Sequence, residues 1–269
     1  MKRELARLVL GQVCVHACMA GVRMAAPLYA LRQGQTEAAV GILLAFFALT
    51  QIFLALPMGR YVDRQGLRKP ALYCGLLASA CAGLVAVWPN FAVMCLAAMG
   101  LGAAAGGVLI SLQRHVGRMA SDLHELRHAF SWLAIGPAFS NFVGPLMAGV
   151  LIDGVNFQVA FAALAALPLV GKLTAKTHAA HPHPEPDTGL KRALKDAFAD
   201  RSYWLLHAGF FTCGFHIAFL VTHLPGEVNL CGLPPSVASW SLAIIGLANI
   251  AGSLYAGASV TKYRSKHVL

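Results

Sequence analysis

Gly59-Arg60-Tyr61-Val62-Asp63-Arg64-Gln65-Gly66-Leu67-Arg68-Lys69 is a short, densely charged stretch set between two long apolar runs, roughly 38–58 and 71–88. A helix needs about 20 mostly apolar residues to cross the hydrocarbon core of a bilayer. Both flanking runs are near that length, so the stretch predicts a tight turn at one face of a membrane. Its basic residues, Arg60, Arg64, Arg68 and Lys69, put that face on the cytoplasmic side, where Lys and Arg accumulate in short loops.

Working outward, eight apolar runs of spanning length follow one another: about 8–31, 38–58, 71–88, 91–113, 128–152, 157–173, 203–225 and 236–257. They are apolar on every face, whereas barrel strands alternate apolar and polar residues over about 10 positions. A composition of 58% hydrophobic and 12% charged residues agrees, since soluble domains carry about twice that charge. The expected fold is all-α: a polytopic helical membrane protein. The first run is too long for the apolar core of a cleaved signal peptide and reads as an uncleaved first span.

The net charge of +10 invites a nucleic-acid reading. With a cytoplasmic N-terminus, however, every Lys and Arg except Arg23 and Arg32 falls on the inner side, as the positive-inside rule requires. The basicity is topology, and no nucleic-acid partner is inferred. The cysteines are scattered and none forms a Cys-x-x-Cys pair, which suits reduced packing residues. His178, His181 and His183 sit among alternating prolines with no fixed scaffold, so no metal and no cofactor is expected.

The inside connection at 174–202 is the longest. Its prolines forbid regular helix over Pro182–Pro186, while Gly189 to Arg201 can form a short amphipathic helix on the membrane face. The chain thus divides into a six-helix bundle (1–173), a cytoplasmic linker (174–202) and a partial second bundle (203–269). A shift of 198 residues lays Gly59 on Gly257, Arg64 on Lys262 and Arg68 on Lys266, though Asp63 meets Thr261. The weak repeat falls after the second span of each unit, as an internally repeated transporter requires.

The pattern Gly-x-x-x-Asp-Arg-x-Gly followed by basic residues resembles the signature loop between helices 2 and 3 of the major facilitator superfamily. The resemblance implies a six-plus-six fold and secondary transport by alternating access, with the lipid bilayer and a small solute as partners. It also implies a bacterial inner membrane. In that family the loop aspartate latches the two halves on the cytoplasmic side. Carried over, the latch is Asp63, with Gly59 allowing close helix approach, Arg64 and Arg68 supporting the network, and Gly66 and Lys69 completing the motif. Eight spans fall short of twelve. The chain therefore reads as the six-helix bundle plus the first two helices of a second, a fragment or truncated frame.

Span five carries Gly136, Pro137, Gly144, Pro145 and Gly149, similar to the Gly-Pro-rich fifth helix of facilitators that often act as antiporters; generic helix packing explains it nearly as well. Gly102 and Gly106 in span four form a small-residue packing face. Ionisable residues inside spans are costly and point to function. Here they are His16 and Arg23 in span one and His207 and His216 in span seven, with Asn141 a further polar candidate in span five. Spans one, four and seven line the central cavity in the resembling fold. Arg23 is read either as an anion contact for a carboxylate or as a residue snorkelling to the headgroups. The histidines serve either packing or the coupling of a proton. Spans seven and eight resemble the monocarboxylate and oxalate–formate branch, which agrees with an anionic cargo. The competing readings are a non-transporting remnant and an intramembrane enzyme; no paired nucleophile and base, and no His-Glu-x-x-His, supports the latter.

Overall fold

The computed structural model describes residues 2–120, 122–174 and 190–262. The histidine-rich part of the linker and residues 263–269, with the end of the repeated basic motif, lie outside them. The described residues form α1 (Lys2–Arg32), α2 (Glu37–Gln65), α3 (Arg68–Val87), α4 (Phe91–Met119), α5 (Leu123–Gly154), α6 (Phe157–Thr174), α7 (Leu190–Ala199), α8 (Arg201–Leu230) and α9 (Pro235–Lys262), with no strand among them. Lipid offers no partner to backbone N–H and C=O groups, so a segment that crosses it must close its own hydrogen bonds as a helix. Seven of these helices are long and apolar enough to cross, and Phe157–Val170 supplies a shorter apolar segment in α6. This is an integral, multi-pass membrane protein.

Two boundaries differ from expectation. The charged stretch is not a loop: α2 runs through Asp63 to Gln65, and the chain turns only at Gly66 and Leu67. Gly66 ends the helix at φ +71°, its N–H donating to the Val62 carbonyl at 2.8 Å. A side chain in that conformation is strained, so glycine is the residue that turns there. α8 likewise continues past Pro225 to Leu230, shortening the outer connection to residues 231–234. A proline removes one donor, and such a break is tolerated in membrane helices. α7 occupies most of the expected amphipathic segment.

Helix starts at the face opposite the basic turns are capped from their own connections. Thr36 Oγ1 accepts from the Ala39 N–H at 3.2 Å, Asn90 Oδ1 from Val93 at 2.9 Å and Asn156 Oδ1 from Val159 at 2.9 Å. Each cap satisfies a donor that the first turn leaves open.

α1 is the enclosed helix of the first bundle. It packs on α5 and α6 and touches α4, while α2 pairs with α4 and α3 bridges α4 and α6. Small residues set the close approaches. A Cβ at Gly144 would meet the Gly21 nitrogen at 2.9 Å and run into the Ala17 carbonyl, so α5 lies directly against the backbone of α1. Ser140 adds a hydrogen bond to the Val13 carbonyl at 3.1 Å across the same contact. On α4, a Cβ at Gly102 would strike the Phe47 backbone of α2, Gly106 lies under Gln51, and Gly107 accepts Met58 and Cys74. Such approaches are how helices associate where lipid tails are as apolar as leucine.

Of the second unit, α9 packs along α5 as closely as α1 does, whereas α8 touches α9 and α1 only lightly. A Cβ at Gly149 would collide with Ser239, and one at Gly246 would lie 2.9 Å from the Phe142 nitrogen.

Overpacking at a backbone crossing costs about 1–3 kcal/mol and at times more. Gly144→Leu should therefore lower the melting temperature in detergent and the yield of folded protein. Gly11→Ala, with open space around it, should leave both unchanged or slightly raised.

Candidate functional site

At 100° per residue, Gln12, His16 and Arg23 fall within about 40° of one another on α1. They form a polar line about 16 Å long on an otherwise apolar helix. Gln12 is fully buried, 0% exposed, with neither amide atom hydrogen-bonded. Its amide lies over Gly136 of α5, where a Cβ would come within 2.7 Å of Oε1. His16, 7% exposed, donates from Nδ1 to the Gln12 carbonyl at 3.2 Å. A carbonyl can only accept, so the neutral ring carries its proton on Nδ1 and presents a lone pair at Nε2. Arg23 is partly exposed, and its Nε is buried without a hydrogen-bond partner. At the C-terminal end of α1, Arg32 is occupied differently, its guanidinium 5.0 Å from the centre of the Phe157 ring.

Sequence reasoning that weighs ionisable residues alone passes over Gln12. Its i, i+4 spacing from His16 within an apolar run is the signal that finds it. The other candidates do not join this line. His207 and His216 are exposed on α8, and His207 Nδ1 donates to its own helix at the Tyr203 carbonyl, 2.9 Å away. α8 is exposed along nearly its whole length, so the exposure of the two histidines does not set them apart from its other faces. Asn141 is half-buried on α5; Gln51 Nε2 donates to the Phe47 carbonyl at 3.4 Å; Asn249 is exposed.

The second cluster lies at the basic face. Asp63, in the last turns of α2, is paired with Arg114 and with Arg118 of α4, the latter at 2.7 Å. Sequence reasoning looked for support to Arg64 and Arg68 in the same motif; the structure brings this carboxylate two arginines from another helix. Lys69 instead donates to Gln65 Oε1 at 2.9 Å. Gly59 also has a different part. A Cβ there would touch the Arg114 guanidinium at 3.5 Å, an ordinary contact, so helix approach does not demand glycine. Arg60 and Arg64, with Phe53, Leu56, Pro57 and Tyr61, line an open groove of about 530 Å³ along α2.

The third contact joins α5 to α9 at the opposite face. Asp153, at the end of α5, accepts from the Ser236 N–H in the first turn of α9 at 3.0 Å. A carboxylate at a helix N-terminus is favoured by the open donors and the dipole there. Farther along, toward the basic side, α9 is open among the described residues. Gly252 has no neighbour within 4 Å, and Leu254 and Tyr255 are 51% and 76% exposed. Among the described residues, no three His, Cys, Asp or Glu side chains come together as a metal site would need.

Comparison with known proteins adds three findings. The family described as Major Facilitator Superfamily matches residues 8–269. The multidrug resistance protein D of Escherichia coli (strain K12) is 30% identical over 134 residues, which is 49% of this chain and 32% of that protein. The chain thus spans about a third of that relative. The crystal structure of a D-xylose–proton symporter shares the fold with a TM-score of 0.61 over 97% of this chain and 69% of its own, at 15% identity.

A buried amide without partners costs about 1–3 kcal/mol. Gln12→Leu removes it at similar volume, so the melting temperature should hold or rise. A clear fall would show that the amide is engaged in the working protein.

Proposed function

The chain belongs to the Major Facilitator Superfamily, and from that premise we propose that it carries a small organic anion, such as a carboxylate, across the membrane by alternating access. The observation that carries this reading is the polar line of Gln12, His16 and Arg23 on the most enclosed helix. Charged and polar groups at membrane depth are expensive and face a pathway or a partner. Arg23 offers a forked set of donors that matches a carboxylate. His16 offers Nε2 as the proton acceptor. A proton taken up there adds positive charge on the same helix face, which favours an anion, and by reciprocity a bound anion favours the proton. The symporter whose fold the chain shares is a proton-coupled protein by its title, which supports proton as the coupling ion. The two relatives differ in cargo by name, so the cargo here rests on Arg23.

The contacts at the two faces support a state open toward the basic side. The Asp153–Ser236 contact and the Gly149–Ser239 packing hold the outer ends of α5 and α9 together. At the basic side, Asp63 is engaged within its own bundle by Arg114 and Arg118. The basic turns support a cytoplasmic N-terminus and hence a cavity open to the cytoplasm in a bacterial inner membrane. Outward opening then requires Asp153 to release α9 and Asp63 to exchange its partners for the second unit, so that the two bundles rock about a central site.

Proteoliposomes holding the chain, with an imposed pH gradient and a panel of radiolabelled carboxylates, test the reading. Uptake above protein-free vesicles is expected; its absence for every carboxylate would overturn anion transport by this chain. Arg23→Gln should abolish uptake while the amount of incorporated protein stays the same, and undiminished uptake would remove Arg23 from the site. Asp153→Asn should raise, severalfold, the rate at which a membrane-impermeant maleimide added outside labels Ser239→Cys in a background free of other cysteines. An unchanged rate would mean that Asp153 does not hold the outer side shut.

A further inference from the structure

α7 stands apart from the transport machinery. Its sequence, Leu190-Lys191-Arg192-Ala193-Leu194-Lys195-Asp196-Ala197-Phe198-Ala199, repeats apolar residues at three- and four-residue spacings. That is the mark of a helix lying in a membrane interface rather than crossing it. Its end folds onto the start of α8 through a cluster of rings. Phe198 lies 5.4 Å from Trp204 and 5.9 Å from Tyr203, and Tyr203 lies 4.0 Å from His207. Trp204 Nε1 donates to the Phe198 carbonyl at 3.0 Å, which fixes the angle between the two helices.

Among the described residues the cluster stays open: Phe198 and Trp204 are 51% and 52% exposed. Arg192, Lys195 and Arg201 are exposed beside it. Asp196 shares the polar side of α7, while the Asp200 carboxylate is engaged by the Ser202 N–H at 2.8 Å, capping α8. Arg201 opens a spanning helix, so the group stands at the boundary between headgroups and hydrocarbon. Tryptophan and tyrosine favour that depth, and lysine and arginine there attract anionic lipid.

We propose that α7 and the first turn of α8 form a binding surface for acidic phospholipids, with Arg192, Lys195 and Arg201 on the phosphates and the Phe198–Tyr203–Trp204 cluster among the upper acyl chains. The occupant is the lipid leaflet on the basic side. Charge complementarity and the depth fixed by Arg201 favour it, and the assignment does not depend on the cargo or its coupling. Because the cluster joins α7 to α8 at an angle fixed by the Trp204–Phe198 hydrogen bond, lipid held there holds both helices at the membrane face.

Trp204 reports on its own neighbourhood. The full chain with Trp88, Trp132 and Trp240 replaced by Phe is reconstituted in phosphatidylcholine containing a minor, fixed fraction of phosphatidylglycerol. Two preparations differ only in which lipid carries bromine. Per brominated molecule, phosphatidylglycerol should quench Trp204 more strongly than phosphatidylcholine. Arg192→Gln with Lys195→Gln should lower that preference by up to about fivefold per cation removed, leaving quenching by phosphatidylcholine intact. Equal quenching by both lipids in the parent, or a preference that survives the double substitution, would overturn the proposal. If the tryptophan replacements unfold the chain, native mass spectrometry of the unaltered protein and the double variant decides instead. Fewer phosphatidylglycerol molecules retained by the variant supports the surface, and equal retention overturns it.

Discussion

The contact of α5 with the backbone of α1 at Gly144, Ala17 and Gly21 governs the rest of the molecule. Lipid tails give helices no hydrophobic reason to associate, so stability comes from dispersion at short range and from hydrogen bonds such as Ser140 to Val13. Backbone can meet backbone only where no Cβ intervenes, and that requirement fixes both the register and the depth of the crossing. With α1 pinned there, α6 and α4 close around it, and its polar line is carried into the interior. The opposite side of α5 stays free for α9. One helix thereby organises the first bundle and receives the second unit.

Two carboxylates mark the opposite faces, and they are used differently. Asp63 binds across α2 and α4, within one bundle, where the pair is partly exposed; such pairs contribute about 1 kcal/mol or less. Asp153 binds across units, to the open N–H groups at the start of α9. Neither contact is strong enough to lock the molecule, and each is specific enough to bias it. Interactions of that size would suit the exchange of partners proposed above, since each exchange then has a small barrier.

The spans and their order were legible because hydropathy and the lopsided placement of Lys and Arg are local, cumulative signals. The ends were less so. Arg60 and Arg64 stay helical because long charged side chains can reach the headgroups while their backbone remains in α2, Asp63 does so with its carboxylate paired to α4, and Pro225 costs α8 a single donor. The partners of Asp63 were out of reach: Arg114 and Arg118 lie 51 and 55 residues away in sequence, joined only by the packing of α2 on α4. His207 and His216 lie on a helix that is apolar all round and exposed along nearly its whole length, so neither periodicity nor burial singles out the face they occupy. Gln12 was readable all along, by its spacing from His16.

The division of α5 between two neighbours has a consequence for how the chain is made. α1 is already in the membrane when α5 emerges, but α9 begins about 80 residues after α5 ends, and synthesis at about 5–20 residues per second leaves a gap of several seconds. Throughout that interval the groove at Gly149 and Ala138, shaped to receive backbone, faces lipid chains too bulky to fill it. The nascent protein therefore passes through an intermediate with an unfilled seam, the moment when a neighbouring helix from another chain, or an insertion chaperone, has its best opportunity to occupy the place meant for α9.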